Sequence, residues 1–186
     1  MRQIPQDRQI NLRPGLRKLA IEIENGGMNE THLGQMRGMV RVLDSLAVCI
    51  PGPFKRDDQV LHKEFDHLVA DAHAHRKQAF DVDLGHMVET MLDMADDNVI
   101  AVSRTDCARV FAGALASAEE ILKLPKPPAT YIDEAMGMIW TICELMHPDS
   151  CFPDEDLQLI HDHSKELLKG EILVVHALRR LLERIS

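Results

Sequence analysis

Proline and glycine break this chain at helix-length intervals, and between the breaks apolar residues recur with the period of an α-helix. The first segment runs from about Pro14 to Glu24. Leu16, Leu19, Ala20 and Ile23 share one side of it, and it stops at Gly26-Gly27. A second opens at Asn29, a residue suited to accept a backbone N–H as an N-cap, with Met28 and Leu33 spaced to form a hydrophobic staple across it. It continues through Met36, Met39, Val40, Leu43 and Ala47 and ends before Pro51-Gly52-Pro53. Asp57 or Asp58 is placed to cap a third helix over roughly Gln59 to Gln78, and a shorter fourth follows over about Leu84 to Met94. Ser103 with Asp106, and Thr130 with Asp133, read as capping boxes for a fifth helix reaching about Leu124 and a sixth ending at His147-Pro148. Asp154, Glu155 and Asp156 place acids at the start of a last helix whose far end carries Arg179, Arg180 and Arg184.

Composition agrees with helix packing. Aromatic residues make up 4% of the 186 residues while Met reaches ten, so a core must come mainly from Leu, Ile, Val, Ala and Met. Val99-Ile100-Ala101-Val102 is the one β-like run, and a single run is not expected to make a sheet. The expected fold is an all-α, single-domain helical bundle of about six or seven helices spanning 1–186, with short Pro/Gly connections and residues 1–13 as a loosely ordered basic arm. The longest apolar stretch, Ala135 to Met146, is shorter than the roughly 20 residues a bilayer requires, so no membrane contact is expected. Cys49, Cys107, Cys143 and Cys151 show no CxxC spacing and the first twenty residues show no apolar leader, which together suit free thiols in the cytoplasm.

The net charge of -9 is uneven. Residues 57–97 hold eleven acids against Lys63, Arg76 and Lys77, a local balance of -8. Such a surface repels phosphates, which argues against direct nucleic-acid binding and for a basic protein partner.

Three constellations suggest metals. Glu64-Phe65-Asp66-His67 and Glu144-Leu145-Met146-His147 have the Glu-x-x-His form used by di-iron bundles, but helical geometry turns Glu64 and His67 off the apolar face set by Leu61, Phe65, Leu68, Val69 and Ala72, and turns Glu144 away from its own. His62, His67, His73, His75 and His86 cluster, and Glu64, His67, Asp71 and His75 are spaced to form one ridge that would support a metal-dependent helical enzyme as the alternative function. Cys143, His147, Cys151, His161 and His163 have zinc-like chemistry, although Cys143 falls on an apolar stripe where a buried structural thiol is the simpler expectation. There is no GxSxG elbow, phosphate loop or HExxH motif.

Gly34, Gly38, Gly137 and Gly170 lie inside helical patterns, where glycine permits close packing, and Gly137 between Met136 and Met138 near Trp140 marks a candidate crossing point. Ile160, Leu167, Val174 and Leu181, with the parallel set Leu168, Val175 and Leu182, give the last helix a broad apolar face able to support a homodimer. The expectation is a non-enzymatic acidic interaction or regulatory protein, an inhibitor of a basic nucleic-acid-handling partner being one form of it. Asp66, Asp71, Asp81 and Asp83 are the candidate partner-binding residues, and no catalytic residue, cofactor or metal ligand is assigned.

Overall fold

The computed structural model describes residues 9–49, 60–96, 101–146 and Arg179. Strand β1 (Gln9–Asn11) leads into α1 (Arg13–Glu24), where Pro14 sits in the first turn and needs no hydrogen-bond partner for a backbone N–H. Leu16, Leu19, Ala20 and Ile23 are buried, the stripe that the sequence pattern predicts. Helix α2 (Glu30–Ala47) starts at Asn29, whose Oδ1 accepts the N–H of His32 at 2.8 Å. Leu33 is buried beside it and Met28 packs partly against the core, as a staple requires.

Helices α3 (Val60–His73) and α4 (Lys77–Asp96) differ from the sequence expectation. The third helix does not continue to Gln78, and the fourth starts seven residues before Leu84. The break is a Schellman closure: the N–H of Arg76 bonds to the Asp71 carbonyl at 2.9 Å and that of His75 to the Ala72 carbonyl at 3.0 Å. His75 takes the left-handed conformation, φ 54°, that glycine usually supplies there. With no Gly or Pro at the break, composition carries no signal of it. The three intervening residues fold α4 back on α3, and Phe80, Leu84, Met87, Val88, Met91 and Met94 face the core.

Strand β2 (Ala101–Ser103) pairs antiparallel with β1, with Ile10 opposite Val102. The expectation that the β-like run would find no partner is corrected: the partner comes from residues 9–11, within the segment read as a loose arm. Val102 is fully buried and anchors the ribbon. Ser103 then caps α5 (Arg104–Leu122), accepting the N–H of Asp106 at 3.0 Å and donating its hydroxyl to Asp106 Oδ2 at 2.7 Å. Helix α6 (Ala129–Leu145) begins at Pro128 rather than with a Thr130 cap. The Pro128 carbonyl takes the N–H groups of Tyr131 and Ile132, so Thr130 already lies within the first turn.

The described residues thus form an all-α bundle of six helices, with one short ribbon at its edge. Helices α2 and α6 make the most intimate pair, crossing where Gly34 lies against Asp133, Gly38 against the Glu134 backbone and Gly137 against the Gln35 backbone. A Cβ at Gly137 would lie 1.9 Å from the Gln35 carbonyl oxygen, and the Glu134 carboxylate reaches Arg41 at 3.0 Å on the flank of the same crossing. The crossing point expected at Gly137 is therefore present. Among the described residues no helix is long and apolar enough to cross a membrane. The seven-residue apolar seams of the last helix lie outside the described residues. Of that segment Arg179 alone is described, bonded with Lys123 to the buried Glu119 of α5.

Candidate interaction surface

The Schellman turn between α3 and α4 decides how the acids of this region are used. Asp71 is buried and its carboxylate forms an ion pair with Arg76, the residue that its own carbonyl also holds. Asp81 accepts two bonds from Lys77 Nζ, at 2.7 and 2.9 Å, one helical turn earlier. Two of the three Lys and Arg residues in 57–97, Arg76 and Lys77, are therefore committed to two of the four candidate acids.

Asp66 and Asp83 remain, and they do not share a face. Asp66 is 66% exposed with His62 Nε2 at 4.0 Å. It lies two residues from Glu64, about 200° around the helix, and Glu64 touches α4, so Asp66 points away from α4. Asp83 is half-buried on α4 and raises the pKa of Glu64 electrostatically. Of the four acids, Asp71 and Asp83 line one open depression with Arg76, Lys77 and Val82, Asp81 is held in a surface ion pair, and Asp66 lies on a separate flank.

A different acidic stripe emerges once α4 runs from Lys77 to Asp96. Glu89 and Asp93 are exposed and about 40° apart on the helix. Val82, 53% exposed, lies within about 20° of Glu89, and Gly85 opens onto empty space. No ion pair among the described residues reaches Glu89 or Asp93. Their spacing was readable in the sequence, since the helix expected over Leu84 to Met94 holds both, whereas Val82 joins them only because α4 starts at Lys77.

The Glu64, His67, Asp71 and His75 ridge that would support the alternative, metal-dependent reading does not form along α3. Glu64 turns inward: its Oε1 accepts from Thr90 Oγ1 at 2.8 Å, and its Oε2 is buried without a partner. Burial pushes the Glu64 carboxyl up, helped by Asp44 and Asp83 and opposed by the Thr90 bond and His86. Asp71 is held by Arg76, His67 is exposed, and His75 lies beyond the helix end. Glu144 does not point to solvent either; at 15% exposure it binds Lys18 of α1 at 2.6 Å. The two Glu-x-x-His glutamates therefore engage different helices. Among the described residues no group of three or more His, Cys, Asp or Glu side chains is arranged to hold a metal ion. His147, Cys151, His161 and His163 lie outside the described residues. Cys143 is half-buried, and burial raises its thiol pKa far above the ordinary value.

No family model, curated protein or solved structure matches this chain. Its own residues must carry the functional reading.

One further acid was missed by the sequence. Asp44 of α2 accepts the N–H groups of Leu61 at 3.3 Å and His62 at 3.0 Å, capping α3 from a neighbouring helix. Burial raises its pKa, and the two amides oppose that shift. On the same side Arg41 pairs with Glu134, and the Arg37 guanidinium lies 5.8 Å from the Phe65 ring centroid. This flank is mixed in charge and offers no competing acidic surface.

Proposed function

We propose that the protein is a non-enzymatic interaction protein that binds a basic protein partner through the outer face of α4. The observation that carries this reading is the distribution of counter-charge. Arg76 and Lys77 are taken by Asp71 and Asp81, and Glu89 and Asp93 lie on one stripe without an ion pair among the described residues. Crowded like charges oppose folding, so unneutralised acids on one helix face are most useful when a partner supplies the opposite charge. Val82 and Gly85 add an uncharged floor that a partner side chain can cover.

A basic nucleic-acid-handling protein fits this surface, because carboxylates at helical spacing can occupy a channel that otherwise takes phosphates. Inhibition by occupation of that channel is the regulatory form of the proposal. The free thiols of Cys49, Cys107 and Cys143 suit action in the cytoplasm.

Capture from host cytoplasm at low salt, with wild type and a Glu89→Lys/Asp93→Lys variant run in parallel and analysed by mass spectrometry, tests the reading. A basic protein retained by wild type and lost by the variant supports it. Identical sets of captured proteins would reject it and shift attention to the apolar face of the C-terminal segment as a dimer or partner surface.

A further inference from the structure

The first turn of α2 holds an imidazole that the α4 surface does not use. His32 is the third residue of α2, and its ring folds back over the α1–α2 turn. It fills the space a side chain at position 26 would need: a Cβ on Gly26 would lie 1.9 Å from His32 Nε2 and 2.0 Å from Cε1. The ring is also hydrogen-bonded to the backbone of Ile23, in the last turn of α1. Nε2 is buried and has no partner, so that bond runs from Nδ1–H to the Ile23 carbonyl. This network assigns the neutral tautomer, with a lone pair on Nε2.

Protonation would place a second N–H, and a positive charge, where nothing accepts it. No carboxylate offsets this. Burial dominates the His32 environment and the Ile23 carbonyl opposes it, while Glu22 and Glu24 of α1, Glu30 of α2, His73 of α3 and Asp133 of α6 make no contribution. Glu30 instead faces His73 at 3.7 Å. The turn beneath the ring contains Gly26 and Gly27, whose backbones move at small steric cost.

We propose that His32 is a proton-operated latch: the neutral ring holds the Gly26–Met28 turn closed against α2, and the protonated ring leaves its pocket and opens the turn. Burial lowers the His32 pKa in the closed form, so the closed form binds the proton less readily than the open form. Opening therefore takes up one proton as pH falls below the ordinary histidine value, and the open population rises about tenfold per pH unit until the closed form itself titrates. Release of the ring also removes one of the two hydrogen bonds of the Ile23 carbonyl, which keeps only the Gly26 N–H at 3.1 Å, and so loosens the end of α1.

The test is amide hydrogen exchange at Asn25 and Gly26, whose N–H groups bond to the Ile21 and Ile23 carbonyls at 3.3 and 3.1 Å, by NMR on the full chain from about pH 7.5 to about pH 5, corrected for intrinsic exchange chemistry. Wild type is expected to lose protection at these amides about tenfold per pH unit across the lower part of that range. His32→Gln, which keeps a donor for Ile23 but does not titrate, is expected to show no such dependence. Gly26→Ala, which displaces the ring into water, should return the His32 titration towards its ordinary value and flatten the dependence. Protection in wild type that does not change with pH, or the same dependence in His32→Gln, would overturn the proposal.

Discussion

Gly38 of α2 meets the backbone of Glu134 in α6 so closely that a Cβ on Gly38 would lie 2.0 Å from the Glu134 carbonyl oxygen. The same relation holds in reverse at Gly137, where the obstacle is the Gln35 carbonyl. Backbone cannot rotate out of the way as a side chain tip can, so the two helices must separate to admit a methyl group. Gly38→Ala and Gly137→Ala should each destabilise the fold by about 1–3 kcal/mol in urea unfolding. Gly85→Ala is the control: its Cβ meets open space, and a stability gain of about 0.5–1 kcal/mol is expected from helix propensity. Equal effects at Gly38 and Gly85 would contradict the close crossing.

His75 occupies the left-handed position that ends α3. Glycine there removes the steric cost, so His75→Gly should raise stability by about 0.5–1 kcal/mol, read from the denaturation midpoint. A loss of stability would mean that the imidazole makes a compensating contact.

The Asp71–Arg76 pair is asymmetric, with Asp71 buried and the Arg76 side chain 61% exposed. Removing Arg76 leaves a buried carboxylate without its cation, whereas removing the carboxylate leaves a guanidinium that water can reach. Arg76→Ala should therefore cost about 1–3 kcal/mol and Asp71→Asn less. Lys77→Ala, at a surface pair, should change stability by less than about 0.5 kcal/mol.

These sites show what the sequence could and could not reveal. Asn29 and Ser103 were legible because each cap is a local event, an acceptor side chain three residues before the N–H it serves. Gly137 was legible as a crossing point because few other roles suit a glycine inside an apolar helix. The end of α3 was hidden because the Schellman turn uses His75. The ribbon joins residues about ninety positions apart, and Asp44 caps α3 from another helix, so neither leaves a local pattern. For the candidate surface, the excess of acid was visible but its partners were not. Charge counting gives Asp71 and Asp93 equal weight, although one is buried against Arg76 and the other is exposed.

Glu64 supplies a pH test. Its raised pKa means that the folded state binds its proton more tightly than the unfolded chain. The carboxylate therefore lowers stability at neutral pH, and that deficit fades as pH falls through the raised value towards the ordinary carboxyl value. Glu64→Gln keeps an acceptor for Thr90 and removes the charge. The variant should be more stable than wild type at neutral pH, and the difference should shrink on acidification, as followed by thermal unfolding at several pH values. A gap that stays constant with pH would contradict the inward placement of Glu64.

The α4 surface is tested most directly by the affinity of the captured basic partner for wild type, Asp81→Lys and Glu89→Lys/Asp93→Lys, each at low salt and at about 0.15 M salt, where screening shortens to about 8 Å. All three proteins should keep the same helical circular dichroism. Wild-type affinity should fall steeply with salt, the Asp81 variant should bind nearly as wild type, and the Glu89/Asp93 variant should lose binding at both salt concentrations. Unchanged affinity in the Glu89/Asp93 variant, with its fold intact, would contradict the account.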